Sequence, residues 1–268
     1  KELLTNVALR VEDTNDADIF RVSGRGELHL TILLENMRRE GFEMAVAKPR
    51  VVYKEINGEK CEPYENLTID LEDGHQGAIM EEIGRRRGEL VNMESDGMGR
   101  TRLEYHIPAR GLIGFQSDFM TMTRGTGLMS HVFDDYAPVK PDMPGRHNGV
   151  LISQENGEAV AYALWNLEDR GRMFVSPGDK LYEGMIIGIH SRDNDLVVNP
   201  IKGKKLTNVR ASGTDEAVRL TTPIKLTLES AVEFIDDDEL VEITPQSIRL
   251  RKRYLTENER KRMSKVES

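Results

Sequence analysis

Nineteen consecutive residues, 196–214 (LVVNPIKGKKLTNVRASGT), carry Lys202, Lys204, Lys205 and Arg210 and not one acid. A polar, glycine-bearing segment with four uncompensated cations has reach, conformational freedom and donors, the chemistry that contacts a phosphate backbone, and Asn208 adds a neutral donor and acceptor. An ordinary solvated loop is the other reading of the same residues. A second cluster, 249–265, sets eight cations against Glu257 and Glu259. In a strand over 247–253, alternation places Arg249, Arg251 and Arg253 on one face and Ile248, Leu250 and Lys252 on the other. Three aligned arginines repel one another unless an anion or an acid lies opposite. RNA is one such partner. Segment 229–242, with seven acids including Asp236-Asp237-Asp238-Glu239, is the other. Salt-bridge distances between 249–253 and 236–242 would favour the second.

Catalytic chemistry is harder to find. There is no Gly-x-x-x-x-Gly-Lys-Ser/Thr phosphate cradle, and Asp142-x-x-Gly145 sits in a proline-rich stretch that reads as a linker turn. Six histidines are scattered without His-x-His or His-x-x-x-His spacing, and Cys61 has no second cysteine, so neither a metal site nor a disulfide is expected. Gly24-Arg25-Gly26 lacks the third glycine of a dinucleotide fingerprint, and no Gly-x-Ser-x-Gly elbow occurs. Glu81, Glu82 and Asp236–Asp238 read as solvated helix faces or ends. The expectation is a chain with no catalytic, cofactor-binding or metal-ligating residues of its own.

The elements that must position the basic segments are set by length and pattern. The chain has 268 residues, 38% hydrophobic and 31% charged, which suits two or three globular domains. Its 37 Lys and Arg against 46 Asp and Glu, a net charge of −9, exclude a general nucleic-acid coat. No apolar run approaches the roughly 20 residues of a membrane-spanning helix. The chain opens at Lys1 inside what reads as the last turn of a helix, the pattern of a fragment. Strands at 7–11 and 19–23, a helix at 27–39 and an extended stretch at 45–56 end at the turn Asn57-Gly58. From 62 to 136 the order is strand 67–71, helix 77–87, strand 89–93, hairpin turn Asp96-Gly97, strand 100–107, helix 112–122 and strand 128–133. That βαββαβ order predicts a four-stranded antiparallel sheet with helices on one face, the ferredoxin-like split βαβ arrangement. Arg85-Arg86-Arg87 closes the first of those helices with cations that suit its dipole, and Gly88 reads as its left-handed stop. After the prolines at 138, 141 and 144, short β runs at 149–153, 158–164 and 181–190 indicate a β-rich module. One helix interrupts it, with Thr227 as N-cap, and strands 240–243 and 247–253 and a helical tail from 256 complete the chain.

Several long motifs resemble one family. Val22-Ser-Gly-Arg-Gly-Glu-Leu-His-Leu and Lys48-Pro-Arg-Val-Val-Tyr-Lys-Glu resemble the third domain of elongation factor G and its relatives. Glu62-Pro-Tyr-Glu, Arg86-Arg87-Gly88 and Ile107-Pro-Ala-Arg-Gly-Leu-Ile-Gly-Phe are similar to that family's fifth domain. Asp169-Arg-Gly, the runs 178–190 and 203–216, and Phe234-Ile-Asp-Asp-Asp-Glu-Leu-Val-Glu resemble the BipA/TypA branch. The resemblance implies an α+β chain: two ferredoxin-like domains, the first truncated (1–58) and the second at 59–137, then a branch-specific β-rich domain at 138–268 with one or two helices. It further implies the C-terminal part of a cytoplasmic translational GTPase that binds the ribosome and acts in stress adaptation and large-subunit assembly. Large-subunit rRNA and the acceptor end of a tRNA would be its partners, and it would act as a monomer without a membrane. GTP and magnesium would belong to the parent's GTPase domain and not to this fragment. Lys202, Lys204, Lys205, Asn208 and Arg210 are the residues expected at RNA, with Arg249, Arg251 and Arg253 open between RNA and the acids of 236–242. An acidic protein-interaction module without RNA contact is the alternative.

Overall fold

The structure, a computed structural model, describes residues 8–141, 143, 145–203 and 219–267. It is a mixed α+β chain that divides into two compact units: Lys1–Lys48 with Arg146–Ser268, and Pro49–Gly145. The opening segment forms an exposed antiparallel ribbon, β1 (Arg10–Asp13) and β2 (Phe20–Ser23), then helix α1 (Glu27–Arg39) and strand β3 (Met44–Ala47). Among the described residues this segment builds no four-stranded ferredoxin-like sheet. Its last strand instead joins the sheet of the C-terminal residues, because Met44 and Val46 alternate toward a core already formed there.

The unit Pro49–Gly145 contains β4 (Lys54–Ile56), β5 (Glu59–Glu72), α2 (Gln76–Arg85), β6 (Glu89–Ser95), β7 (Arg100–Pro108), α3 (Ala109–Leu112), α4 (Phe115–Met122) and β8 (Leu128–Pro138). Its strands run β8-β5-β7-β6, each pair antiparallel, with β4 folded back on the start of β5. This is the order a split βαβ arrangement requires. Period-two residues Leu67, Ile69 and Leu71 of β5 and Leu103, Tyr105 and Ile107 of β7 meet Ile79 and Ile83 of α2 and Phe115 and Phe119 of α4. The helical residues are spaced i, i+4, so one face of each helix enters the core, and each buried side chain contributes about 2 kcal/mol. The helix expected over 112–122 is two helices, broken where Gly114 adopts φ +74.

The end of α2 also departs from expectation. Arg87, at φ +66, is the left-handed residue. Its N–H donates to the Gly84 carbonyl (3.0 Å), and the Gly88 N–H reaches back to the Ile83 carbonyl (2.9 Å), a Schellman closure. Gly88 is there for space, since a Cβ would sit 2.4 Å from Ile83 Cγ2.

The remaining elements are β9 (Val150–Ser153), β10 (Gly157–Glu158), α5 (Ala161–Leu167), β11 (Gly171–Met173), β12 (Lys180–Leu181), β13 (Met185–His190), β14 (Leu196–Val198), α6 (Leu228–Phe234), β15 (Glu239–Ile243), β16 (Ile248–Lys252) and α7 (Glu257–Glu267). The sheet order is β14-β9-β13-β16-β15-β3, with β11 also on β13. Its two faces are both buried in part. Val150, Ile152, Ile186, Val241, Ile243 and Leu250 pack under α6, while Leu151, Met185 and Ile187 pack under Leu164 of α5. The stretch 158–164, expected as strand, is mostly α5. Alternating Val160, Tyr162 and Leu164 imitate a strand, whereas Ala161 and Ala163 favour a helix and tertiary burial of Ala163 with Leu164 decides for it.

Candidate nucleic-acid interface

Lys202 stands at the edge of the described residues; Lys204, Lys205, Asn208 and Arg210 lie outside them. The approach to the basic segment is built by Asn199, whose Oδ1 accepts the N–H groups of Ile201 and Lys202, both at 3.0 Å, and whose Nδ2 donates to the Glu155 carboxylate. The Pro200 carbonyl accepts the Val160 N–H at 3.0 Å. On the return side, the Thr221 N–H donates to Glu168 Oε1 at 2.5 Å. Val160 and Glu168 are the residues immediately before and after α5, so the chain leaves toward the basic segment from one end of that helix and the described residues past Asp215-Glu216 return to the other.

The arginine strand keeps the predicted alternation: Leu250 and Lys252 are buried, and Arg249 and Arg251 are half-exposed on the other face. Arg249 lies 3.4 Å and Arg251 3.9 Å from the Glu242 carboxylate, which also accepts the Tyr182 hydroxyl at 2.6 Å. Arg253, just past the strand, donates to the Asp237 carbonyl at 2.9 Å. Glu242, in the acidic segment, is therefore the anion opposite Arg249 and Arg251, while Arg253 meets a backbone carbonyl of the same segment. Burial, with the hydrogen bond to Glu242, pushes the Tyr182 phenol up.

The buried side of the same strand holds a charge network that pattern reading does not single out. Lys252 Nζ lies 2.6 Å from Asp195, 2.9 Å from Asp238 and 2.9 Å from Glu239. Glu239, fully buried, also accepts two hydrogen bonds from the Arg146 guanidinium at 2.8 and 2.9 Å, and Lys48 pairs with Asp236 at 3.0 Å. Burial alone would raise the Glu239 carboxyl and lower the Lys252 ammonium. The partners win, so Glu239 sits below its ordinary value and Lys252 above. The sequence signal is the alternation itself, which places Lys252 in register with Leu250.

In the other unit the motifs at 62–65, 86–88 and 107–115 converge. Arg110 forms a two-point pair with the fully buried Glu62 (2.9 and 3.1 Å), whose carboxylate also accepts the Lys140 N–H. Arg86 pairs with Glu82 at 2.6 Å and Asp118 at 2.7 Å and donates to the carbonyls of Gly111 and Ile113. Gly111 is small because a Cβ would meet the Arg86 carbonyl at 2.6 Å. These residues hold the fold and are occupied by one another. On the open sheet face, His106 Nε2 stands 3.3 Å from Asp135 and 3.4 Å from Asp134, and its ring stacks on Tyr64 at 4.7 Å. These three groups lie close enough to share a cation, but the two carboxylates already face the imidazole, and exposed clusters of this kind are common without an ion. Among the described residues no helix is long and apolar enough to cross a membrane.

Comparison with known proteins agrees with this layout. Residues 59–147 match the family described as elongation factor G C-terminus, and residues 148–257 match the TypA/BipA C-terminal domain. Proteins named large ribosomal subunit assembly factor BipA from Escherichia coli K12 and Haemophilus influenzae are 64% and 61% identical to this chain, each over 267 residues and 99% of it. The Salmonella typhimurium protein of the same name is 64% identical over 266 residues. The alignments cover 44%, 43% and 44% of those relatives, so the chain spans less than half of their length. A sheet in the split βαβ order ahead of a β-rich module, with motif after motif in place, puts this chain in the BipA/TypA family, as an elongation factor G C-terminus joined to a TypA/BipA C-terminal domain.

Proposed function

We propose that this chain is the ribosome-docking C-terminal part of a BipA-like translational GTPase. It reaches large-subunit rRNA and the acceptor end of a tRNA through the segment bearing Lys202, Lys204, Lys205, Asn208 and Arg210, and serves large-subunit assembly and stress adaptation in the cytoplasm. GTP and magnesium are handled by the parent's GTPase domain. One observation carries the reading: a chain of net charge −9 contains nineteen residues with four cations and no acid. An acidic body with a basic contact segment favours selective docking on a polyanion over indiscriminate coating. The names of the relatives support the ribosomal setting.

The rival reading, an acidic face that docks a basic protein, is weakened by where the acids go. Asp236, Asp238, Glu239 and Glu242 are engaged by Lys48, Lys252, Arg146, Tyr182, Arg249 and Arg251 inside their own unit. The test is co-sedimentation with ribosomes at several salt concentrations. The triple variant Lys202→Ala, Lys204→Ala, Lys205→Ala should bind more weakly, and its log–log salt slope should flatten by about 2, at roughly 0.7 for each phosphate no longer neutralised. Unchanged sedimentation across the salt series would sink the proposal.

A further inference from the structure

Two of the arginines on β16 keep a surplus that Glu242 does not remove. Residues directly opposite one another in an antiparallel sheet share a face. Ala45, Glu242 and Arg249 therefore form one row across β3, β15 and β16, and Ala47, Leu240 and Arg251 form the next. The arginine side chains are 38% and 25% exposed, and Ala45 and Ala47 are exposed as well, so both rows run out to solvent at the β3 edge. On the other flank Arg251 lies opposite the buried Met185 of β13, and the Tyr182 hydroxyl reaches across to Glu242. The result is a bay closed on the β13 side and open on the β3 side.

Within the bay two guanidinium groups face one carboxylate, which leaves one positive charge. Geometry leaves more. Arg249 Nε stands 3.4 Å from Glu242 Oε1 and Arg251 Nη1 stands 3.9 Å from Oε2, ion-pair distances at which neither Nε–H has a hydrogen-bond acceptor, although both Nε atoms are buried. Glu242 Oε1 instead accepts the Tyr182 hydroxyl at 2.6 Å, and burial keeps that phenol protonated as a donor. Buried donors without an acceptor are uncommon and unfavourable, and an anion seated beside them is one way to satisfy them.

We propose that Arg249 and Arg251, with Tyr182 holding Glu242 beside them, form a binding site for a phosphate group. The site goes beyond the docking reading above and uses none of residues 202–210. A tetrahedral oxyanion fits better than a second carboxylate. The two arginines are two residues apart on one strand face, roughly 7 Å between Cα atoms. Each guanidinium can grip an oxyanion through its Nε–H and one Nη–H. A phosphate has oxygens enough to take such a fork from both, whereas the two oxygens of a carboxylate serve one. An RNA backbone and a small free phosphate offer the same chemistry, and the test separates them.

The arginine Nε–H resonances of the full 268-residue chain are followed by NMR as sodium phosphate is added, with ionic strength held constant by chloride. The single variants Arg249→Lys and Arg251→Lys assign the two signals. Phosphate should move both saturably, and acetate should not. By calorimetry, the double variant Arg249→Lys, Arg251→Lys should bind phosphate about tenfold more weakly, because an ammonium has no fork. Glu242→Gln should bind about tenfold more tightly, because it removes the competing charge at constant shape. Thermal melts establish that these variants are folded. A purely structural cluster predicts the reverse for Glu242→Gln, a lower melting temperature with no response to phosphate. The triple lysine variant should keep the phosphate response, so failure of the docking reading and failure of this site are read separately. A short abasic phosphodiester oligomer is the second arm. If it moves the same two signals, the site takes a nucleic-acid backbone; if inorganic phosphate alone moves them, it takes a small phosphate, and either result supports the site. Signals that do not move, signals that follow acetate equally, or wild-type phosphate affinity in the double variant overturn it.

Discussion

Glu62 and Arg110 lie 48 positions apart, in two separate motifs, and they meet at a site where the carboxylate has no access to water. A buried pair of this kind adds little over a well-packed apolar pair, but breaking it strands a charge. Arg110→Ala should therefore cost about 3–5 kcal/mol in urea unfolding of the full chain. A loss below about 1 kcal/mol would show that water reaches Glu62 and that the motif is kept for something other than packing. The same logic explains why Arg86 and Arg110 belong with the fold and Lys202 does not. The first two direct their donors to carboxylates and carbonyls within their own unit, whereas the Lys202 ammonium forms no ion pair among the described residues. Residue type alone does not separate these roles, because an arginine in a motif reads identically whether its partner is a buried glutamate or a phosphate.

Among elements, α6 shows how much local sequence can decide. Thr227 accepts the Ser230 N–H at 3.1 Å while the Ser230 hydroxyl receives the Thr227 N–H at 3.0 Å, a reciprocal capping box. The cap starts a helix that lays Leu228, Ala231 and Val232 on the sheet. Thr227→Ala should lower stability by about 1 kcal/mol, read as a shift of the denaturant midpoint at constant slope. This element is legible because its cap, its length and its apolar spacing agree. Helix α5 is not, since an alternating Val160-Ala-Tyr162-Ala-Leu164 run satisfies period two as well as a short helix, and its ends are set by bonds to Pro200 and Thr221 far along the chain. For the end of α2, the glycine is legible but its reason is not: Gly88 leaves room for Ile83, and Arg87 takes the left-handed turn.

Across the C-terminal unit, the buried charges tie together segments that are distant in sequence. Lys48 comes just after β3, Arg146 precedes β9, Asp195 lies beyond β13, Asp236 and Glu239 span α6 to β15, and Lys252 ends β16. The directions of the shifts set the pH dependence. Glu239 is held below its ordinary 4.5, so its contribution is complete above 4.5 and is lost as pH falls through the lower folded value. Lys252 is held above its ordinary 10.5, so its contribution is complete below 10.5 and is lost as pH rises through the higher folded value. The melting temperature of this unit should hold between about 4.5 and 10.5, as far as these groups decide it, and fall outside that window. Glu239→Gln should melt lower at pH 7 and lose less on acidification, and parallel acid limbs for wild type and variant would dismiss the network as the cause.

Legible from the residues alone are the order of the elements from 59 to 138, the β-rich character of the residues beyond 138, the family resemblance and the position of the acid-free cations. All of these are written in local spacing or in composition. Which charges are engaged depends on packing in three dimensions. Arg249 and Arg251 face Glu242, Lys252 is buried among three acids, and β3 leaves its own segment to close a distant sheet. The physical reason is that a charge or a strand edge takes the partner nearest in space, and for these residues that partner lies from 7 to about 200 positions away.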